Sequence, residues 1–143
     1  MRLNAGEART RFAAARVARL ATADAAGRPH LVPIVFALVG DDLCSAIDMK
    51  PKAQVGPRAR LRRLDNIRAN PAVSVLVDHY ADDWGQLWWA RADGTARIIE
   101  TTALEGAGAI SALSDRYPQY RDAVPPGPVI AIAVDRWSGW AAS

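Results

Sequence analysis

The chain has 143 residues, of which 50% are apolar and 23% charged, so it is long and apolar enough to bury a core as a single domain, 1–143. One cysteine, Cys44, excludes an internal disulfide and a cysteine-based zinc site, and no apolar run approaches the ~20 residues of a membrane-spanning helix. The net charge is +3, but residues 50–68 hold seven cations and one acid. This imbalance predicts a single anion-binding site rather than a uniformly basic surface. The N-terminal residues lack the apolar stretch of a signal peptide, so the expected compartment is the cytoplasm.

The first half of the chain predicts a helix followed by antiparallel strands. Asn4 and Glu7 have the spacing of a capping box, which predicts a short helix over 5–16. Strands are predicted over 17–22, 29–39 and 43–48, with turns at 24–27 and 40–42. Pro33 has no N–H to donate, so the second strand should lie at a sheet edge or carry a bulge there.

The second half continues the same pattern. A loop over 49–57 should precede a helix over 58–70, with Leu61, Leu64 and Ile67 on its buried face. The remaining predicted elements are strands over 72–80 and 86–92, a hairpin turn at Asp93-Gly94, a strand over 95–100, a helix over 103–117 and a strand over 129–134. Six or seven strands in runs, with about three helices, indicate a mainly β (α+β) fold. We expect a small antiparallel barrel with peripheral helices rather than a doubly wound parallel sheet.

The basic segment is the strongest candidate site. Its cations of interest are Lys50, Lys52, Arg58, Arg60 and Arg63. The lysines fall in the predicted loop and the arginines near a helix N-terminus, which suits a phosphate. At roughly 100° per residue, Arg63 lies beside the apolar stripe while Arg62 faces solvent. A solvated charged face and a nucleic-acid surface are the alternatives, although no aromatic residue stands among the cations to stack on bases.

The five tryptophans and a histidine are further candidates. Trp88 and Trp89 are adjacent on a predicted strand and should face opposite sides of the sheet. Trp137 and Trp140 should pack onto a second subunit or roof a pocket, with simple core packing as the alternative. His30 is a candidate proton donor, or a strand-end histidine bonded to backbone. With no metal-ligand spacing and few nucleophiles, the chain is a binding protein or an enzyme whose chemistry belongs to a cofactor.

Several short motifs in order carry a resemblance to a known family. They are 19–22 (RLAT), 27–30 (GRPH), 33–36 (PIVF), 66–71 (NIRANP) and 73–77 (VSVLV). This order resembles the split β-barrel flavoproteins related to pyridoxamine-phosphate oxidase. The runs 48–52 (DMKPK), 82–84 (DDW) and 87–91 (LWWAR) resemble one branch of them, the B-type oxidoreductases that depend on the deazaflavin coenzyme F420.

The resemblance implies a homodimer with two cofactor sites at its interface, and hydride transfer from reduced F420 to an electron-poor small molecule. The implied cofactor-binding residues are Lys50, Lys52, Arg58, Arg60 and Arg63 for the anionic tail, Pro33, Ile34 and Val35 along the ring, and Ser45, Ile47 and Met49 along the ribityl chain. Trp89, Trp137 and Trp140 are implied on the substrate side, and His30, Tyr80 or water as the proton source.

Two alternatives to an F420 enzyme stay open. One is an FMN-binding enzyme of the oxidase type, whose phosphate-binding pair falls on Arg62 and Arg63. Trp89 stands where that branch has a glutamine in contact with flavin, which weakens this alternative. The other is a non-catalytic barrel that binds an anion or nucleic acid. The sequence does not indicate the substrate.

Overall fold

The computed structural model describes residues 1–48 and 57–143, and the side chains of residues 57–61 are outside that description. Over these residues, an antiparallel sheet of eight strands is accompanied by four α-helices. The strands are β1 (Arg2–Leu3), β2 (Ala18–Ala23), β3 (Pro29–Ile34), β4 (Ala37–Val39), β5 (Asp42–Ala46), β6 (Ala72–His79), β7 (Trp88–Ile99) and β8 (Val129–Ala141). The helices are α1 (Ala5–Ala14), α2 (Pro57–Ala69), α3 (Leu104–Arg116) and α4 (Gln119–Asp122), with a short 3₁₀ helix at Trp84–Gln86.

The sheet order is β3-β2-β6-β7-β8-β5-β4, with β1 added beside β8. Two apolar clusters fill the space between the sheet and its helices. The larger contains Phe12 of α1 and the inward residues of β2, β6, β7 and β8, and the smaller lies between α3 and strands β4, β5 and β8. The predicted mainly antiparallel fold with peripheral helices is therefore confirmed. No helix in the described ranges is long and apolar enough to span a membrane.

The capping box predicted at the start of α1 is present. Asn4 Oδ1 accepts a hydrogen bond from the Glu7 N–H at 2.8 Å, and Glu7 Oε1 accepts one from the Asn4 N–H at 3.0 Å. These bonds satisfy two backbone donors that a helix start leaves without partners. α1 then places the fully buried Phe12 edge-on against the rings of Phe36 and Trp137, at 5.0 and 5.1 Å.

Two of the three residues predicted on the buried face of α2 are buried, and the side chain of the third, Leu61, lies outside the described residues. Leu64 and Ile67 are each 3% exposed, and Asn66 is buried beside them, donating to Thr22 Oγ1 at 3.0 Å. The adjacent residues Arg62 and Arg63 differ in burial as predicted, since Arg62 is exposed and Arg63 is half-buried. The amide of Asn66 was not predicted, since its buried partner Thr22 is 44 residues away in sequence.

The single strand predicted over 29–39 is wrong, because the chain breaks into β3 and β4 at Val35 and Phe36. The Phe36 ring is buried in the core. Its N–H donates to the Tyr117 hydroxyl instead of to a carbonyl of a neighbouring strand. The prediction that Pro33 lies in an edge strand is confirmed, since β3 pairs with β2 alone among the described strands.

The hairpin predicted at Asp93-Gly94 is also wrong. β7 runs on without a turn and pairs with β8 on one side and β6 on the other, with a β-bulge between Asp93 and Gly94. A Cβ on Gly94 would lie 2.2 Å from the carbonyl oxygen of Ala133, so the glycine permits a close approach of two strands rather than a turn.

The last predicted strand is too short. β8 continues beyond residue 134 to Ala141, so Trp137 and Trp140 lie within a paired strand rather than in a tail. Two short elements, β1 and α4, were not predicted because two and four residues carry no recognisable periodicity.

Candidate functional site

A cavity of about 450 Å³, which we call the Arg63 cavity, opens beside the edge strand β3. Its volume falls in the range of small-molecule sites. The lining residues are Val17, Val32, Pro33, Ile34, Val35, Ser45, Ala46, Ile47, Asp48, Arg63 and Tyr120. The walls are therefore mostly apolar, with a few polar groups. Six residues that the resemblance implied at a cofactor site meet here, namely Pro33, Ile34, Val35, Ser45, Ile47 and Arg63.

Arg63 is the cation of this cavity. Burial lowers the pKa of its guanidinium, and the charge of Asp48 partly opposes that effect. Its Nε is buried and has no hydrogen-bond partner among the residues that the structure describes. A half-buried cation with an unsatisfied donor is costly, and an anion beside it would reduce that cost. With the Asp48 carboxylate in the same lining, it is the unpartnered Nε of Arg63 among the described residues that favours an anionic ligand group.

Tyr120 of α4 lies across the same cavity. Its hydroxyl donates to Asp48 Oδ2 at 3.2 Å. Burial, together with the charge of Asp48, raises the pKa of this phenol to about 12, so it stays protonated over the physiological range. Sequence reasoning missed Tyr120, and the only signal near it was Pro118, which ends the preceding helical pattern.

Arg116 and Tyr117, at the end of α3, hold the segment between β3 and β4 in place beside the cavity. We call this pair of side chains the clasp. The Tyr117 hydroxyl accepts from the Phe36 N–H at 3.2 Å and lies 2.9 and 3.0 Å from the Arg16 and Phe36 carbonyl oxygens. Arg116 Nη1 donates to the Phe36 carbonyl at 3.2 Å, and its guanidinium stacks 4.6 Å from the Phe36 ring.

The other arm of the clasp reaches α1. Arg116 Nη2 donates to the Ala13 carbonyl at 2.9 Å and to the Ala15 carbonyl. On the cavity side, Ser45 Oγ donates to the Val35 carbonyl at 2.8 Å. The backbone at Val35 and Phe36 is thus fixed by side chains from two other segments, β5 and the end of α3.

Several expected cofactor-binding residues cannot be placed. Met49, Lys50 and Lys52 lie outside the described residues. Arg58 and Arg60 fall in the first turns of α2, but their side chains are outside the description. Their assignment to an anionic tail stays a prediction.

His30 lies on β3 opposite Thr22 and does not line the Arg63 cavity. Burial and the charges of Arg62 and Arg63 lower the pKa of its imidazole, so the ring is mainly neutral at pH 7. Its Nδ1 is buried without a hydrogen-bond partner in the described part of the chain, so the alternative of a backbone-bonded histidine finds no support at this atom. Its role as proton donor stays a prediction without a contact to the cavity.

The adjacent tryptophans face opposite sides of β7, as predicted. Trp88 packs against the larger core cluster, with the Arg11 guanidinium 5.5 Å from its ring. Trp137 packs edge-on against Phe12, which corresponds to the core-packing alternative. Trp89 and Trp140 are direct cross-strand neighbours on the outer face, and neither lines the Arg63 cavity.

Comparisons with known proteins agree with this architecture. The chain is similar to a FAD-binding protein from Mesorhizobium loti, with 23% identity, a TM-score of 0.74 and coverage of 97% of this chain and 95% of that one. It is also similar to HutZ, the heme storage protein from Vibrio cholerae, with 17% identity, a TM-score of 0.71 and coverage of 97% and 95%. A FAD-binding protein from Mycobacterium smegmatis matches with 16% identity, a TM-score of 0.57 and coverage of 98% and 96%.

At these identities the solved structures show a shared fold. Among curated proteins, none matches the sequence significantly. The sequence model of the family described as pyridoxamine 5'-phosphate oxidase matches residues 5–141, which is nearly the whole chain. Together with the sheet order and the cavity at its edge, this match shows that the chain belongs to the pyridoxamine 5'-phosphate oxidase family.

Proposed function

We propose that this chain is an oxidoreductase that binds coenzyme F420 in the Arg63 cavity and passes a hydride from its reduced form to an electron-poor small molecule. The observation that carries the proposal is the half-buried Arg63 at the edge of a largely apolar cavity, with an Nε that has no partner within residues 1–48 and 57–143. That combination suits a ligand with a flat apolar ring and an anionic tail.

The residues present fit such a ligand. Val32, Ile34 and Ile47 offer apolar walls to a ring, and Arg63 offers a cation to a phosphodiester. Because β3 is an edge strand of the described sheet, the backbone groups on the side away from β2 have no strand partner there and are available to a ligand. In this proposal Arg58, Arg60, Lys50 and Lys52 add charge for the longer acidic tail, and Met49 adds to the wall.

The bound coenzyme would supply the hydride, and the chain would supply position and a dry surface. The clasp of Arg116 and Tyr117 holds the Phe36 backbone and Ser45 holds the Val35 carbonyl, so the ring would meet a preformed wall. The Tyr120 phenol remains protonated and can keep its hydrogen bond to Asp48 across the working pH range.

A flavin nucleotide is the second candidate. The observation in its favour is the similarity over nearly the whole chain to proteins described as FAD-binding. The apolar walls and Arg63 would serve an isoalloxazine ring and its phosphate in the same way, with Arg62 beside Arg63. Trp89, in place of a flavin-contacting glutamine, still weighs against this candidate.

We propose, as the resemblance implies, that two chains associate and that the second chain completes each cofactor site. The Arg63 cavity is open on the side of Val17 and Pro33, both of which are exposed in the single chain. A second chain could cover this opening.

The test is a pair of fluorescence titrations of the purified protein, one with F420 and one with FMN, at ~0.15 M salt. The dimer is checked in the same samples by sedimentation equilibrium. We expect saturable binding of F420 in the micromolar range, with FMN at least tenfold weaker. Preference for FMN would replace the F420 proposal by the flavin candidate. Binding of neither would overturn both.

A further inference from the structure

His30 lies at the end of the row of β3 side chains that forms one wall of the Arg63 cavity. Alternate residues of a strand share a face, so His30 is on the same side of β3 as Val32 and Ile34, both of which line the cavity. The imidazole is half-buried and is not itself part of that lining. His30 is therefore the next side chain beyond the cavity wall.

A hydrogen bond between α2 and β2 determines which helix residues lie beside this histidine. Asn66 of α2 donates to Thr22 Oγ1 at 3.0 Å, and Thr22 is the direct cross-strand partner of His30. Arg62 and Arg63 precede Asn66 by four and three residues, which is about one turn of the helix. The turn of α2 next to His30 therefore carries both guanidiniums.

Two polar atoms of this group are buried without a hydrogen-bond partner within residues 1–48 and 57–143. They are His30 Nδ1 and Arg63 Nε. Arg63 Nε can only donate, and a histidine becomes a donor at both ring nitrogens when it takes up a proton. A phosphate or sulfate group has enough acceptor oxygens to receive hydrogen bonds from both residues.

The charges that act on His30 are positive. Burial is the largest cause of the lowered pKa of its imidazole, and the charges of Arg62 and Arg63 add to that effect. Asp48 acts on Arg63 and is not among the causes at His30. An anion held between the two guanidiniums would offset their charge, and protonation of His30 would then cost less.

The remaining charged groups near His30 neutralise one another. In β2, in the turn that follows it and in the described side chains of α2, the other charged residues form ion pairs, namely Arg19 with Asp78, Arg28 with Asp24 and Arg68 with Asp65. Arg19 also points to the opposite face of β2 from Thr22, since the two are three residues apart on the strand. The arginine pair of α2 is thus the main electrostatic influence on this histidine.

We propose that His30, Arg62 and Arg63 form a proton-linked anion site, in which an anion held by the two guanidiniums draws a proton onto His30. Linkage is reciprocal, so the protonated His30 holds the anion more tightly by the same factor. The site therefore binds an anionic group more tightly at mildly acidic pH than at pH 8. As a property of the coenzyme site this assignment rests on the proposed function, whereas the response of His30 to a simple anion does not.

The test is a proton NMR titration of the histidines from pH 4.5 to 8. The chain has two histidines, so His30→Gln and His79→Gln assign the two imidazole signals, and His79 of β6 serves as the internal control. The probe is sodium sulfate, whose charge does not change in this range, and sodium chloride at equal ionic strength is the reference. We expect sulfate to raise the proton affinity of His30 at least about threefold over chloride, and that of His79 less than about 1.5-fold.

Arginine variants locate the bound anion. Arg62→Gln and Arg63→Gln together should remove the sulfate response of His30. They should also raise its proton affinity in chloride, because two positive charges are lost beside it. Arg68→Gln, which removes an exposed cation from the same helix, is the matched control and should change neither quantity by more than about 1.5-fold.

Circular dichroism and the urea midpoint establish that each variant keeps its fold. No sulfate response at His30, equal responses at His30 and His79, or a response that survives in the double arginine variant overturns the inference. The first two outcomes do not depend on the arginine variants, so the inference is tested even if those variants do not fold. Failure of the F420 and FMN titrations would remove the proposed function but would leave the sulfate response standing, so the two failures are distinguishable.

Discussion

At the scale of single residues, the contrast between Arg62 and Arg63 sets the character of the site. The two are adjacent in α2, yet Arg62 is exposed and Arg63 is half-buried beside the apolar cavity. Helical periodicity predicted this difference, because the buried stripe of α2 fixes which side of the helix each residue takes. The polar partners of the cavity were not predictable in the same way. Tyr120 and Asp48 are joined across 72 residues of sequence, and no local pattern indicates that contact.

The environment of His30 predicts a pH dependence of stability. Burial and the charges of Arg62 and Arg63 hold the folded-state pKa of His30 below its ordinary value of 6.5, while the unfolded chain keeps the ordinary value. Below pH 6.5 the unfolded state therefore binds more protons, and the free energy of unfolding falls as the pH decreases. This contribution cannot exceed about 1.4 kcal/mol per pH unit, which corresponds to one proton.

The measurement is urea unfolding of the wild type and of His30→Gln from pH 7.5 to 5. The carboxylates contribute to both proteins and cancel in the difference. We expect the stability advantage of the wild type over the variant to shrink as the pH falls through 6.5. A difference that stays constant, or one that grows toward acid pH, would contradict the placement of His30 beside the two guanidiniums.

At the scale of elements, Gly94 shows that a turn-forming dipeptide does not by itself determine the local structure. Asp93-Gly94 is a common hairpin dipeptide, but here Gly94 lies in the middle of β7 and makes room for the β8 backbone. The dipeptide is compatible with a turn or with a strand. The need for glycine at this position comes from the neighbouring strand β8, whose backbone leaves no room for a Cβ. The interruption between β3 and β4 was not predictable for the same reason. It depends on hydrogen bonds with Arg116 and Tyr117, which lie about 80 residues further along the chain.

A matched pair of Gly→Ala substitutions tests this account of β7. Gly94→Ala places a Cβ 2.2 Å from the Ala133 carbonyl oxygen and should lower the free energy of unfolding by about 2 kcal/mol or more. Gly108→Ala, on the exposed side of α3, meets nothing within 4 Å and should raise it by about 0.5–1 kcal/mol. Urea denaturation measures both. Equal effects of the two changes would mean that β7 and β8 are not packed as described.

At the scale of the whole molecule, two of the concave surfaces that the described residues form differ in their chemistry. The Arg63 cavity lies at the β3 edge and combines apolar walls with one half-buried cation. The second surface lies across β7 and β8, where two cavities share Trp89, Arg91 and Trp140 in their linings. Chain order and motifs were enough to predict the family and most of the first surface. The second surface depends on the register between strands far apart in sequence, which alternation alone does not determine.

The most direct test of the central claim compares the coenzyme affinity of the wild type with that of Arg63→Gln. The variant keeps a shorter polar side chain and removes the charge. The account predicts that the dissociation constant for F420 rises at least about tenfold, because a charge-assisted contact at a half-buried site is lost. In Arg68→Gln, which removes an exposed charge from the same helix, it should change less than about twofold. Equal and small changes in the two variants would show that the coenzyme does not bind in the Arg63 cavity.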